Sequence, residues 1–125
     1  MSTVGQREKT LNFEVATPLA QHRAVTITHA TGTVAYTAAG AVPDAVTVSN
    51  SSPRAVSPGT DTVEVLQLNC WDGAKMIELE AAVVKGADLE VGTDGKFITK
   101  DSGTSSGLRA NGAGNATAHI GAYKE

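Results

Sequence analysis

Between Arg23 and Lys100 the apolar residues of this chain recur in short alternating runs separated by turn formers. RAVTITH is followed by ATG and TVAYTA, DAVTVSN by SSPRAVSPG, DTVEVLQLN by CWDG, and KMIELEA by a short link into VVKGADLEVGTDGKFITK. Runs rich in β-branched residues, split by Gly, Pro, Asp and Ser at this spacing, predict an all-β sandwich or barrel. No segment carries an amphipathic helix of useful length. In TVEVLQL, Val63 and Val65 share one face while Leu66 and Leu68 occupy the other. That parity switch predicts a bulge or a strand buried on both sides.

The run from Val83 to Lys100 has the composition of a ligand loop, with acidic residues, a Gly-Thr-Asp-Gly cluster and a Lys. A calcium loop of the EF-hand type needs Gly at its sixth position and Glu at its twelfth; counted from Asp88, those positions hold Thr93 and Thr99. A Walker phosphate loop needs Ser or Thr after Gly-Lys, and Phe97 follows Gly95-Lys96. What remains is alternation: Leu89 and Val91 on one side, Asp88 and Glu90 on the other, resuming at Phe97 and Thr99. The pattern predicts a β-hairpin turning at Gly92-Thr93-Asp94-Gly95. VTITHATGTVAYT has a similar strand, Thr/Gly turn, strand order, but its glycines fall one position apart from those of ADLEVGTDGKFIT, so the match as a repeat is weak.

The two ends depart from this regularity. MSTVGQREKT is polar and patternless, and the Leu11, Phe13, Val15 alternation after it stops at Pro18. We expect residues 1–20 to form an extended N-terminal arm that pairs with a neighbouring subunit, and 21–125 to form the β-rich domain; an ordinary first strand is the alternative. DSGTSSGLRANGAGNATAHIGAYKE reads as a Gly- and Ser-rich loop closed by a weak edge strand at Ala116, Ala118 and Ile120.

Composition narrows the picture. A chain of 125 residues is one domain by length, yet aromatics make up only 4% of it. Its core must be built from small and β-branched side chains, which bury less surface each than Phe or Leu. Help from an oligomer or partner is expected. A net charge of −3 without a Lys/Arg run lacks the footprint of phosphate-backbone binding, so nucleic acid is not an expected partner. The single Cys70 excludes an internal disulfide and a Cys-rich zinc site. No apolar run approaches the ~20 residues of a membrane span, and the polar start does not read as a secretory signal. Synthesis in the cytoplasm without a membrane anchor is the expectation.

Candidate chemistry is sparse. Gly103-Thr104-Ser105-Ser106-Gly107 matches the G-x-S-x-G nucleophile elbow, but the two glycines in LRANGAGN disfavour the helix that must follow, and no Asp comes after Ser105. Glu78 and Glu80 project from one face of a predicted strand with Met76, as a glycosidase pair might. A solvated or subunit-facing acidic row is the simpler expectation. His22, His29 and His119 are the three histidines; along a continuous strand His22 and His29 have opposite parity and cannot face one metal without an intervening bulge, so no metal site or cofactor is expected. Asn50-Ser51-Ser52 and Asn115-Ala116-Thr117 match glycosylation acceptors but read as turns. Trp71, beside the Asp72-Gly73 turn, is either an interface anchor or a plug at a barrel end.

The order of these segments resembles the small capsid decoration, or cement, proteins of tailed bacteriophages. The resemblance runs from about Phe13 to Ile120 and rests most on an Ala/Val-rich strand (Val83, Val84), a Gly-Ala/Asp-Leu step (Gly86 to Leu89) and a Thr/Asp-Gly-Lys hairpin turn (Thr93 to Lys96). NATAHIGAYKE is thinner and more polar than the aliphatic strand on which such proteins often finish. The resemblance implies a β-tulip-like β-barrel or sandwich without enzymatic activity. It further implies a homotrimer on the outer surface of the phage head that binds the major capsid protein and stabilises the shell. Leu11, Phe13, Val15 and Trp71 are the residues expected at the capsid or subunit interface. The alternative from another class is a small β-barrel carbohydrate- or peptide-binding module, against which the scattered aromatics count.

Overall fold

A computed structural model describes residues 10–15, 17–53 and 61–125. Eleven strands in chain order are β1 (Thr10–Val15), β2 (Ala24–Thr28), β3 (Thr33–Tyr36), β4 (Ala45–Thr47), β5 (Ser52–Pro53), β6 (Asp61–Gln67), β7 (Ala74–Glu78), β8 (Leu89–Val91), β9 (Phe97–Thr99), β10 (Leu108–Ala110) and β11 (His119–Lys124). Among the described residues there is no α-helix, only short 3-10 turns at Leu68–Cys70 and Thr93–Gly95. The all-β expectation holds.

The first body is a closed five-stranded barrel. Its strands follow the order β1-β3-β2-β4-β6, and β6 pairs back onto β1; β5 lies beside the start of β6. Closure gives the β6 backbone a partner along its whole length, where an open edge would leave a row of unpaired N–H and C=O groups. Val15, Val25, Ile27, Val34, Ala45, Val63 and Val65 form one buried cluster with Leu19, and Phe13 and Tyr36 pack against it. These modest side chains suit a narrow barrel.

The second body packs on the outside of that barrel. It combines the antiparallel sheet β10-β11-β7 with the β8-β9 hairpin. Ile77, Leu79, Leu89, Val91, Phe97 and Leu108 are fully buried here. The barrel wall takes part in both cores. In β2, β4 and β6, the consecutive pairs Ala24/Val25, Ala45/Val46 and Val65/Leu66 are buried, one member in each cluster. This resolves the parity of TVEVLQL: β6 is a strand buried on both faces. Each large aliphatic side chain so enclosed contributes about 1.5–3 kcal/mol.

The structure corrects two expectations about the ends. Thr10–Val15 is a strand of the barrel and not part of an arm: it runs antiparallel to β6 from Thr10 opposite Leu66 to Val15 opposite Asp61. It also meets β3 through Glu14 opposite Thr33. The boundary expected at residue 20 therefore falls inside the domain, and residues 1–9 of the expected arm lie outside the described residues. At the other end, β11 is no edge strand. It is central, paired with β10 on one side and β7 on the other.

Candidate functional site

The four residues expected at an interface separate in the structure. Val15 is 4% exposed inside the barrel, and Phe13 is half-buried against the same cluster. Trp71 is 9% exposed, and its indole N–H donates to the Ala122 carbonyl at 3.1 Å. It therefore plugs its own domain, because a buried indole needs such an acceptor. Leu11 is 43% exposed and is the one of the four whose side chain lies on the surface. Val42, Met76 and Val84 are the other exposed large apolar residues among those described.

A polar cluster at the seam of the two bodies went unread in the sequence. His22 and Arg23 come from the turn entering β2, Glu78 ends β7 and His119 opens β11. Arg23 Nε donates to Glu78 Oε1 at 3.0 Å and Nη2 to Oε2 at 3.3 Å. Arg23 Nη1 donates to the Asp94 carbonyl at 3.1 Å, and the guanidinium stands 5.6 Å from the Tyr36 ring centroid. The Tyr36 hydroxyl accepts the Ala20 N–H at 2.8 Å. Arg23 thus links the barrel, β7 and the β8-β9 turn. The expected solvated acidic row is corrected: Glu78 is 9% exposed beneath Arg23, and half-buried Glu80 accepts the Thr93 N–H.

His22 adopts a left-handed backbone, φ 64°, which puts its ring against that of His119. The two Nδ1 atoms are 2.8 Å apart, with the rings edge to face at 85°. His119 Nε2 lies 3.5 Å from Glu78 Oε1. Burial, followed by the neighbouring His119, holds the His22 imidazole below its ordinary pKa, although Glu78 pulls the other way. For Glu78, burial raises the carboxyl pKa, but the Arg23 hydrogen bond and charge, helped by His119 and Lys96, outweigh it and hold the group low. Strand parity compared His22 with His29 along one segment; the pair that forms is 97 residues apart and leaves no local pattern.

Elsewhere the polar groups brace loops. Ser105 Oγ donates to Asp88 Oδ1 at 2.6 Å, Ser106 Oγ donates to the Leu89 carbonyl at 2.8 Å, and strand β10 follows where an elbow requires a helix. Glu90 accepts the backbone N–H groups of Asp101 and Gly103. No group of three or more His, Cys, Asp or Glu side chains that could hold a metal ion converges among the described residues. A cleft of about 400 Å³ beside the barrel is lined by Ile27, His29, Val42, Asp44, Gln67 and Lys124 among others. Its lining mixes apolar and charged groups, and Asp44 Oδ2 is already engaged by the Ile27 N–H.

No family model matches this chain and no curated protein matches its sequence. Among solved structures, the N base of the head fiber gp8.5 of bacteriophage phi29 is similar, with a TM-score of 0.73 at 13% identity over 95% of each chain. At that identity, what the two chains share is the all-β fold.

Proposed function

We propose that this chain is a structural protein of a bacteriophage head: a decoration domain that sits on the outer capsid surface, binds the major capsid protein and strengthens the shell. The observation that carries the reading is the fold likeness to the base of a phage head fiber, which extends over 95% of both chains. The order of turns and strands that resembles the decoration proteins supports it from the sequence side. The domain acts as a homotrimer, so that several weak contacts engage together and their joint avidity exceeds that of any one. Its thin aliphatic core agrees with a protein that gains burial from its neighbours. Leu11, exposed on β1, is the residue assigned to that contact.

The likeness to a fiber base favours a second reading, in which the domain mounts a projecting fiber instead of reinforcing joints. Heads prepared without this chain separate the possibilities. Added protein should co-sediment with them to a saturating stoichiometry and raise the temperature at which they release DNA. Binding without any gain in head stability favours the mount, and failure to bind heads rejects both readings.

A further inference from the structure

We propose that His22 and His119 form a two-nitrogen chelate for a divalent transition-metal ion of the nickel and copper class. The site lies at the seam between the barrel and the second body, with solvent filling the remaining coordination positions.

The distance between the rings is the first support. Two nitrogens bound about 2.0 Å from one ion at right angles stand about 2.8 Å apart. The His22 and His119 Nδ1 atoms are 2.8 Å apart, joined in the metal-free protein by a hydrogen bond whose proton the ion would replace, with His22 shifting its proton to Nε2. The second support is the tautomer. The Glu78 carboxylate, 3.5 Å from His119 Nε2, favours the proton on that nitrogen and leaves the Nδ1 lone pair toward His22. A carboxylate on the far nitrogen is the usual partner of a metal-bound imidazole, because it fixes the ring and raises its basicity. Glu78 is itself held by Arg23.

The third support is positioning. The His22 N–H donates to the Thr47 carbonyl at 2.7 Å, and its own carbonyl accepts the Glu78 N–H at 2.9 Å, so its left-handed backbone is fixed from both bodies. A non-glycine residue in that conformation is uncommon and tends to mark a constrained site. His119 is exposed, which leaves an open side for water. Arg23 and Lys96 face the same carboxylate and oppose a cation, which keeps the affinity moderate.

An ion here would staple residues 97 positions apart, and binding to the folded state alone raises the melting temperature. The test is a thermal melt of the tag-free full chain with NiCl2 and with chelator. We expect a saturable rise of several degrees at one ion per chain, reversed by chelator and lost on acidification as protons compete with the ion for the ring nitrogens. His119→Gln, at an exposed position, and His22→Asn, which tolerates the left-handed backbone, should each abolish the rise, while His29→Gln should keep it. Bound Cu2+ should show two nitrogen ligands by electron paramagnetic resonance. No rise with nickel in the wild type, or a rise that survives His119→Gln, overturns the proposal; the latter assigns the ion to another site.

Discussion

Arg23 and Glu78, 55 residues apart, form a two-pronged ion pair between the barrel and β7, with side chains 14% and 12% exposed. Glu78→Ala leaves the guanidinium facing the seam without its counter-ion. The expected cost is about 2–3 kcal/mol, above that of an exposed pair and below that of a fully buried one. Urea unfolding should show a lower midpoint at unchanged slope. Because the two residues act together, Arg23→Ala combined with Glu78→Ala should cost less than the sum of the single changes.

Acidification should weaken the fold in two steps. His22 is held below its ordinary value of 6.5 and Glu78 below its ordinary value of 4.5. In each case the unfolded chain takes up the proton first, so stability falls as pH drops through the window beneath the ordinary value. The groups facing His22 are His119 and Glu78, and Arg23 and Lys96 in turn face Glu78. Melting temperature followed against pH in chelator should decline below pH 6.5 and again below pH 4.5. His22→Asn should remove the upper decline and leave the lower one; an unchanged upper decline would assign it to another group.

The Gly92 to Gly95 turn tests a backbone requirement. Gly95 has φ 73°, and a Cβ there would stand 2.6 Å from the Ala24 carbonyl oxygen and 2.9 Å from Tyr36 Cδ1. Gly95→Val therefore meets both conformational strain and a clash with the barrel wall. We expect a loss above about 3 kcal/mol. Gly32, with φ 69° and open space around the Cβ position, is the control. Gly32→Ala should cost about 1 kcal/mol in the same urea experiment. Similar losses at both positions would show that the clash with Ala24 is unimportant.

The hairpin, the two-faced β6 strand and the all-β class were legible because each writes a local alternation. Leu89 and Val91 pair with Thr99 and Phe97 as the spacing requires. What stayed hidden depends on distant segments. Glu90 alternates with Leu89 and Val91 yet is buried, because the loop at Asp101–Gly103 folds over its carboxylate. Strand β11 reads as weak since Gly121 and Ala122 are small, but Ala122 is fully buried and accepts the Trp71 indole N–H. The Leu11, Phe13, Val15 alternation was visible; that it closes a barrel against β6 was not, since Val15 pairs with Asp61, 46 positions further along (61 − 15), and Leu11 with Val65, 54 positions further (65 − 11). The seam cluster escaped because His22, Glu78 and His119 meet only in the folded chain.

Strand β1 offers a paired test of fold and surface. Val15→Asp places a charge in the barrel interior and should abolish cooperative unfolding. Leu11→Asp lies on the same face of the strand but at its exposed end, and should change stability by no more than about 0.5 kcal/mol. Under the proposed function it should nevertheless weaken co-sedimentation with heads. Undiminished binding of Leu11→Asp would move the contact to another face.

Electron cryo-microscopy of heads assembled with and without this chain shows whether the domain sits on the shell. Extra density of the size of this β-domain should appear on the outer capsid surface, arranged with threefold symmetry and bridging neighbouring shell subunits. Particles whose outer surface is identical with and without the chain would contradict the proposed function, as would single knobs that each touch only one shell subunit.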